Sequence, residues 1–167
     1  MTRSSLLRTA AVAVALTAAA GSTVLVTAGT GSAENKTTGG SGRTLTAVLS
    51  GANEVGPQNP TGVGGQAGAG QAEITINAGR GEVCFDLAWQ NIGRLTGAHI
   101  HEAAAGVNGD IVVRFPNETF KAPGVANSCI LVKRAVLQGI LTDPTGYYVN
   151  FHTAKFPGGA VRGQLAK

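Results

Sequence analysis

Between Ala72 and Trp89 apolar and polar residues alternate with a period of two, and this pattern confines the chain to a β architecture. Ala72, Ile74 and Ile76 share one face of an extended run, Ala78-Gly79-Arg80-Gly81 supplies a reversing turn, and Val83, Phe85, Leu87 and Trp89 share one face of the run that returns. A helix would scatter these side chains around its axis, whereas a pleated hairpin gathers them on one side. Trp89, the lone tryptophan, therefore reads as core.

The same alternation recurs along the chain. Leu45, Ala47 and Leu49 mark a first strand from Thr44, and Ile111, Val113 and Phe115 mark another that Pro116 halts. In the last hairpin Tyr147 to Thr153 runs out, Phe156-Pro157-Gly158-Gly159 reverses, and Ala160 to Leu165 returns with Val161 and Leu165 on one face and Arg162 and Gln164 on the other. The period changes once, where Val136, Leu137, Ile140 and Leu141 fall at helical spacing between Lys133 and Leu141 and Asp143-Pro144 ends the segment. Residues 51 to 70 hold seven glycines and two prolines and read as irregular, as do residues 117 to 127. The expected fold is all-β, an antiparallel Greek-key sandwich or barrel with one short helix.

The N-terminus has the form of a secretory signal peptide over residues 1–33. Arg3 and Arg8 make a basic start, residues 9 to 20 are apolar, and Ala28 and Ala33 each end a small-residue cleavage pattern. Residues 9 to 28 carry no charge and just reach spanning length, but Ala, Thr and Gly make them weakly hydrophobic, so no stable membrane span is expected after cleavage. Residues 34–43 are a polar, Gly-rich linker, and the β domain is expected over residues 44–167. The formal net charge is +4, and without Arg3 and Arg8 eleven basic residues face nine acidic ones. These charges are scattered, which gives no basic patch for nucleic acid. Export to the extracellular space or cell envelope would let the two cysteines, Cys84 and Cys129, oxidise to one bridge.

All three histidines lie in two strand-like runs, Ala98-His99-Ile100-His101-Glu102 and Tyr147-Tyr148-Val149-Asn150-Phe151-His152-Thr153. Alternation puts His99 and His101 on one face of the first, and Tyr148, Asn150 and His152 on one face of the second. One reading joins Glu54, His99, His101, Asn150, His152, Arg162 and Gln164 in a hydrogen-bonded network that fixes strand register, with Arg162 opposite Glu54 as a charge-assisted pair. A second makes His99, His101 and His152 ligands of one zinc or copper ion, with Glu102 or water completing the shell. Arg162 opposes a bound cation and suits an anion, which supports a third reading as a small-ligand or peptide surface. No Gly-x-Ser-x-Gly elbow accompanies Ser50 or Ser128, so no catalytic residue is assigned.

Gly51-Ala52-Asn53-Glu54-Val55, Ala98-His99-Ile100-His101, Gly106-Val107-Asn108-Gly109, Tyr148 to Thr153 and Phe156 to Leu165 together resemble the CHRD domain, first recognised in the animal protein chordin and common in secreted bacterial proteins. The resemblance covers about residues 44 to 166, with Glu54-Val55-Gly56-Pro57 where members commonly read Glu-Val-Pro-Pro. It implies an extracellular β-sandwich-like module without an established enzymatic activity or required cofactor. The cysteine-rich modules that bind growth factors in chordin have no counterpart here. The function expected is therefore non-enzymatic binding of an extracellular protein or small ligand, with mononuclear zinc or copper binding as the alternative.

Overall fold

The computed structural model describes residues 42–56, 65, 67–121 and 124–167. The signal segment and all but the last two residues of the linker lie outside the described residues, as do 57–64 and 66 of the Gly-rich stretch. Eight strands form one antiparallel sheet: β1 (Arg43–Ser50), β2 (Ala69–Asn77), β3 (Glu82–Gln90), β4 (Leu95–Glu102), β5 (Asp110–Arg114), β6 (Val125–Leu131), β7 (Tyr147–Thr153) and β8 (Val161–Gln164). One helix, α1 (Arg134–Thr142), sits between β6 and β7. The strand order is β5-β4-β7-β8-β1-β2-β3-β6.

The sheet is strongly curled into a half-barrel. Phe85 on β3 and Phe115, just past β5, are six strand spacings apart in the sheet, about 29 Å if it were flat. Their ring centroids lie 4.5 Å apart. Trp89 on β3 and Phe151 on β7, four spacings apart, meet edge to face at 6.3 Å. Closing these distances wraps the apolar side of every strand around one core that includes Leu45, Leu49, Ile74, Ile100, Val149 and Val161. The indole N–H of Trp89 is satisfied by the Gly93 carbonyl at 2.9 Å.

The alternation read from the sequence holds in β1, β2, β3 and the return strand of the last hairpin, but not in β5, where a bulge turns Ile111 to the face opposite Val113. Ile74 pairs with Phe85 and Ile76 with Val83 in the β2–β3 hairpin. In β1 Leu45, Ala47 and Leu49 are buried while their neighbours are not. Val161 and Leu165 are both fully buried on the return strand. Helix α1 turns Leu137 and Ile140 onto the same core. The Gly-rich stretch is less irregular than expected, because Gly51–Asn53 forms a 3-10 turn and β2 already begins at Ala69.

Strand β6 departs from the expected loop. It is an edge strand whose burial alternates but whose residue types do not, since apolar Val125 and Leu131 lie on the exposed side with Asn127. Its register against β3 sets Cys129 opposite Cys84, and the two are disulfide-bonded. The bridge closes a loop with a sequence separation of 45, worth about 4 kcal/mol in the chain-entropy estimate. Replacing both cysteines by alanine is expected to lower the unfolding free energy by about 2–4 kcal/mol in urea and to expose the β6 amides to hydrogen exchange first. Equal stability of the two proteins under non-reducing conditions would show that β6 is held by its ladder alone.

Candidate metal centre on the outer face of the sheet

The face of β4, β7 and β8 turned away from the core carries a second, polar layer. The register forms rows across it: Arg114, His99, Asn150 and Arg162 stand side by side, as do Ile111, His101, Tyr148 and Gln164. His152 stands one step along β7, opposite Gly97. Glu54 reaches the layer from the end of the 3-10 turn after β1. The segment 103–109 lies over it and contributes backbone carbonyls.

Half of the layer is a hydrogen-bonded assembly in which Asn150 Oδ1 is buried without a partner among the described residues. Arg162 is 2 % exposed, and its guanidinium donates to Asn108 Oδ1 at 3.2 Å and to the Ala104 and Val107 carbonyls at 3.1 and 2.7 Å. It also lies 3.3 Å from the centroid of the Tyr148 ring, a cation–π contact. Gln164 Nε2 donates to the carbonyls of Ala103, Thr145 and Tyr147. Asn150 Nδ2 donates to both oxygens of Glu54, at 2.8 and 3.0 Å. The expected pairing of Arg162 with Glu54 takes this indirect form: Arg162 is spent on the covering segment, and Glu54 acts on it through charge. Burial pushes the Glu54 carboxyl up to about 7, against the opposing pull of Asn150 and Arg162. Gly159 makes room for it, since at φ 140° it has no Cβ to meet that carboxylate.

The other half is the three histidines, whose candidate ligand nitrogens all lie within 4.8 Å of one another. Their tautomers follow from their partners. His101 Nδ1 lies 2.9 Å from the Gly109 carbonyl and His152 Nδ1 lies 3.0 Å from the Pro157 carbonyl. A carbonyl only accepts, so both Nδ1 atoms carry protons and both Nε2 atoms present lone pairs. His99 Nδ1 faces His152 Nε2 at 3.2 Å, and His99 Nε2 faces Arg114 Nη1 at 3.4 Å. His101 Nε2 is buried with no hydrogen-bond partner among the described residues. All three rings are held neutral. His99 is pushed down to about 4 by burial and by His152, His101 and Arg114, while His101 and His152 are lowered chiefly by burial. His101, neutral with its Nδ1–H fixed and its Nε2 free, is in the form that binds metal; His152 has the same tautomer with its Nε2 accepting from His99 Nδ1–H, and carbonyl partners on Nδ1 are the usual outer support. The cluster could hold a metal ion.

All seven residues expected in the polar cluster therefore meet on this face, divided between the two halves. Glu102 does not join them. It follows His101 in a strand, so it turns to the opposite side, where it accepts a hydrogen bond from Tyr147 at 3.1 Å. Arg162 does not offer itself to an anion either, because its donors are used internally. Tyr148 was legible only as a neighbour on the histidine face, yet it stacks on His101 at 4.7 Å and on Arg162, from the strand between them. Arg114 was not legible as part of the site. A bulge between Ile100 and His101 shifts the register of β5, placing both Ile111 and Arg114 on the histidine side.

The sequence profile of the CHRD domain matches residues 45–165, spanning the sheet from β1 to the end of β8. The chain belongs to the CHRD domain family. No curated protein and no solved structure matches it. Among the described residues, no helix of this CHRD domain is long and apolar enough to cross a membrane, and its disulfide points to an oxidising compartment.

Two predictions follow from the titrating groups and from Arg162. The Glu54 pKa is raised, so its contribution to stability is full below about 4.5 and is lost as the pH climbs towards 7. The His99 pKa is depressed, so its contribution is full above 6.5 and is lost as the pH falls towards 4. In metal-free buffer the two oppose each other. Glu54→Gln removes the first, and its Tm is expected to rise more steeply from pH 4.5 to 7 than that of the parent; parallel profiles would show that Glu54 does not titrate there. Arg162→Met leaves Asn108 Oδ1 and two carbonyls without their donor and is expected to cost about 3 kcal/mol in urea unfolding. A cost under about 1 kcal/mol would mean that water replaces the guanidinium freely.

Proposed function

We propose that this CHRD protein is an exported binding module that holds one zinc or copper ion through His99, His101 and His152. The observation that carries the reading is one ring nitrogen from each histidine gathered within 4.8 Å without an ion: His101 Nε2 and His152 Nε2 present lone pairs, and His99 Nδ1 does so once its proton moves to Nε2. In a tetrahedral site with metal–nitrogen distances of about 2.0–2.1 Å, two ligand nitrogens stand about 3.3 Å apart. His99 Nδ1 and His152 Nε2 stand 3.2 Å apart, and the third nitrogen lies within 4.8 Å of both. Three imidazoles suit zinc and copper by ligand softness, and the fourth position remains for an outside ligand. Export rests on the signal-like N-terminus and on the disulfide, which persists in an oxidising compartment.

The competing reading, a purely hydrogen-bonded layer that fixes register, is favoured by the internal hydrogen bonds of Arg162 and Gln164. It does not account for the buried, unpartnered His101 Nε2. Metal analysis of mature protein purified without chelator or affinity metals separates the two. About one zinc or copper per chain is expected, with a Tm that rises on metal addition and affinity at least 10-fold to 100-fold weaker in His101→Ala. Protein that stays metal-free after dialysis against both ions would overturn the proposal and leave the histidines as structural.

A further inference from the structure

The histidine centre opens onto a surface cavity of about 700 Å³ whose lining includes Thr96, His99, Arg114, Asn117, Glu118 and His152. His101, beneath Gly109, is absent from that lining, so the centre has a closed side and an open side. Arg114 stands on the open side, exposed, with Nη1 3.4 Å from His99 Nε2. Resting on the metal reading above, we propose that the loaded centre takes a small carboxylate from this cavity as its outside ligand, with Arg114 as the second point of attachment.

Charge and proton accounting support this occupant. Three neutral imidazoles leave both charges of a divalent ion uncompensated, and Arg114 adds another, against the one carboxylate of Glu118 in the same lining. The metal-free tautomers let Arg114 donate to His99 Nε2, because the His99 proton sits on Nδ1 towards His152. A metal bound at Nδ1 moves that proton to Nε2. Two donors then face each other, and Arg114 loses its acceptor. A carboxylate in the cavity restores it: one oxygen bonds the metal and the other accepts from the guanidinium, the geometry for which arginine is suited. Loading the metal and freeing Arg114 are thus one event. The buried guanidinium, Arg162, cannot serve because it is committed to the covering segment.

Cobalt(II) as a spectroscopic stand-in for zinc tests the idea with acetate as probe and acetamide as the neutral control. In the full mature protein, acetate is expected to shift the visible cobalt bands saturably and acetamide to leave them unchanged. Arg114→Gln is expected to bind cobalt at least as tightly, having lost a positive charge, and acetate about tenfold more weakly. Arg114→Lys is expected to restore part of that loss. Bound cobalt whose spectrum ignores acetate would overturn the inference while leaving the metal centre standing. If acetate acts only in a Glu118→Gln variant, the fourth ligand is the chain's own carboxylate and the inference also fails. Absence of any cobalt, zinc or copper binding would instead remove the metal reading on which it rests.

Discussion

A guanidinium that is 2 % exposed cannot be left to water, and the outer layer of this domain is arranged around that demand. On β8 alternation reserves Val161 and Leu165 for the core and turns Arg162 and Gln164 outward. The Arg162 donors then require acceptors above the sheet, and the segment 103–109 supplies them from Asn108, Ala104 and Val107. Asn108 in turn donates to the Val55 carbonyl at 2.7 Å, so the same contact ties the covering segment to the end of β1. Gly109 completes the arrangement. A Cβ there would run into the backbone of Glu102, so only glycine lets its carbonyl reach down to His101 Nδ1. The tautomer of a metal-competent histidine thus depends, through the covering segment, on an arginine two strands away.

This dependence explains how a buried positive charge and a candidate cation site share one sheet face. Tyr148 occupies the strand between them and stacks on each, so the guanidinium meets the negative face of an aromatic ring on the side towards the histidines. Glu54, linked to the layer through Asn150, offsets the charge of Arg162 from another direction. The arginine that matters to the open side of the centre is Arg114, which is exposed and has somewhere else to go.

What could be read from the sequence was whatever depends on period two. Leu45 to Leu49, Ile74 with Phe85, Val161 with Leu165, and the common face of His99, His101, Asn150 and His152 all follow from which side of a pleated strand a residue occupies. The Cys84–Cys129 bridge was legible from the even cysteine count and the signal-like N-terminus. Strand β6 was not, because its residue types do not follow its burial: apolar Val125 and Leu131 face solvent while polar Ser128 is on the half-buried side. Arg114 was hidden by the bulge, which breaks the count between His101 and the residues of β5. The covering segment was hidden for a different reason. Its contribution is made by backbone carbonyls, which every residue carries, so Ala103, Ala104 and Val107 leave no mark in the sequence.

The division between legible and hidden parts follows the chemistry of the site. The three imidazoles are side chains fixed on two paired strands, and rigid elements hold ligand positions better than loops do. The parts that set their protonation are carbonyls of Gly109 and Pro157, both outside the strands. Under the proposed metal reading, replacing a histidine on β4 or β7 therefore removes a ligand outright. A substitution beside those carbonyls leaves all three histidines in place and releases the proton that keeps Nε2 free. Ligand identity and ligand readiness are carried by different segments of the chain, and only the first is written in residue types.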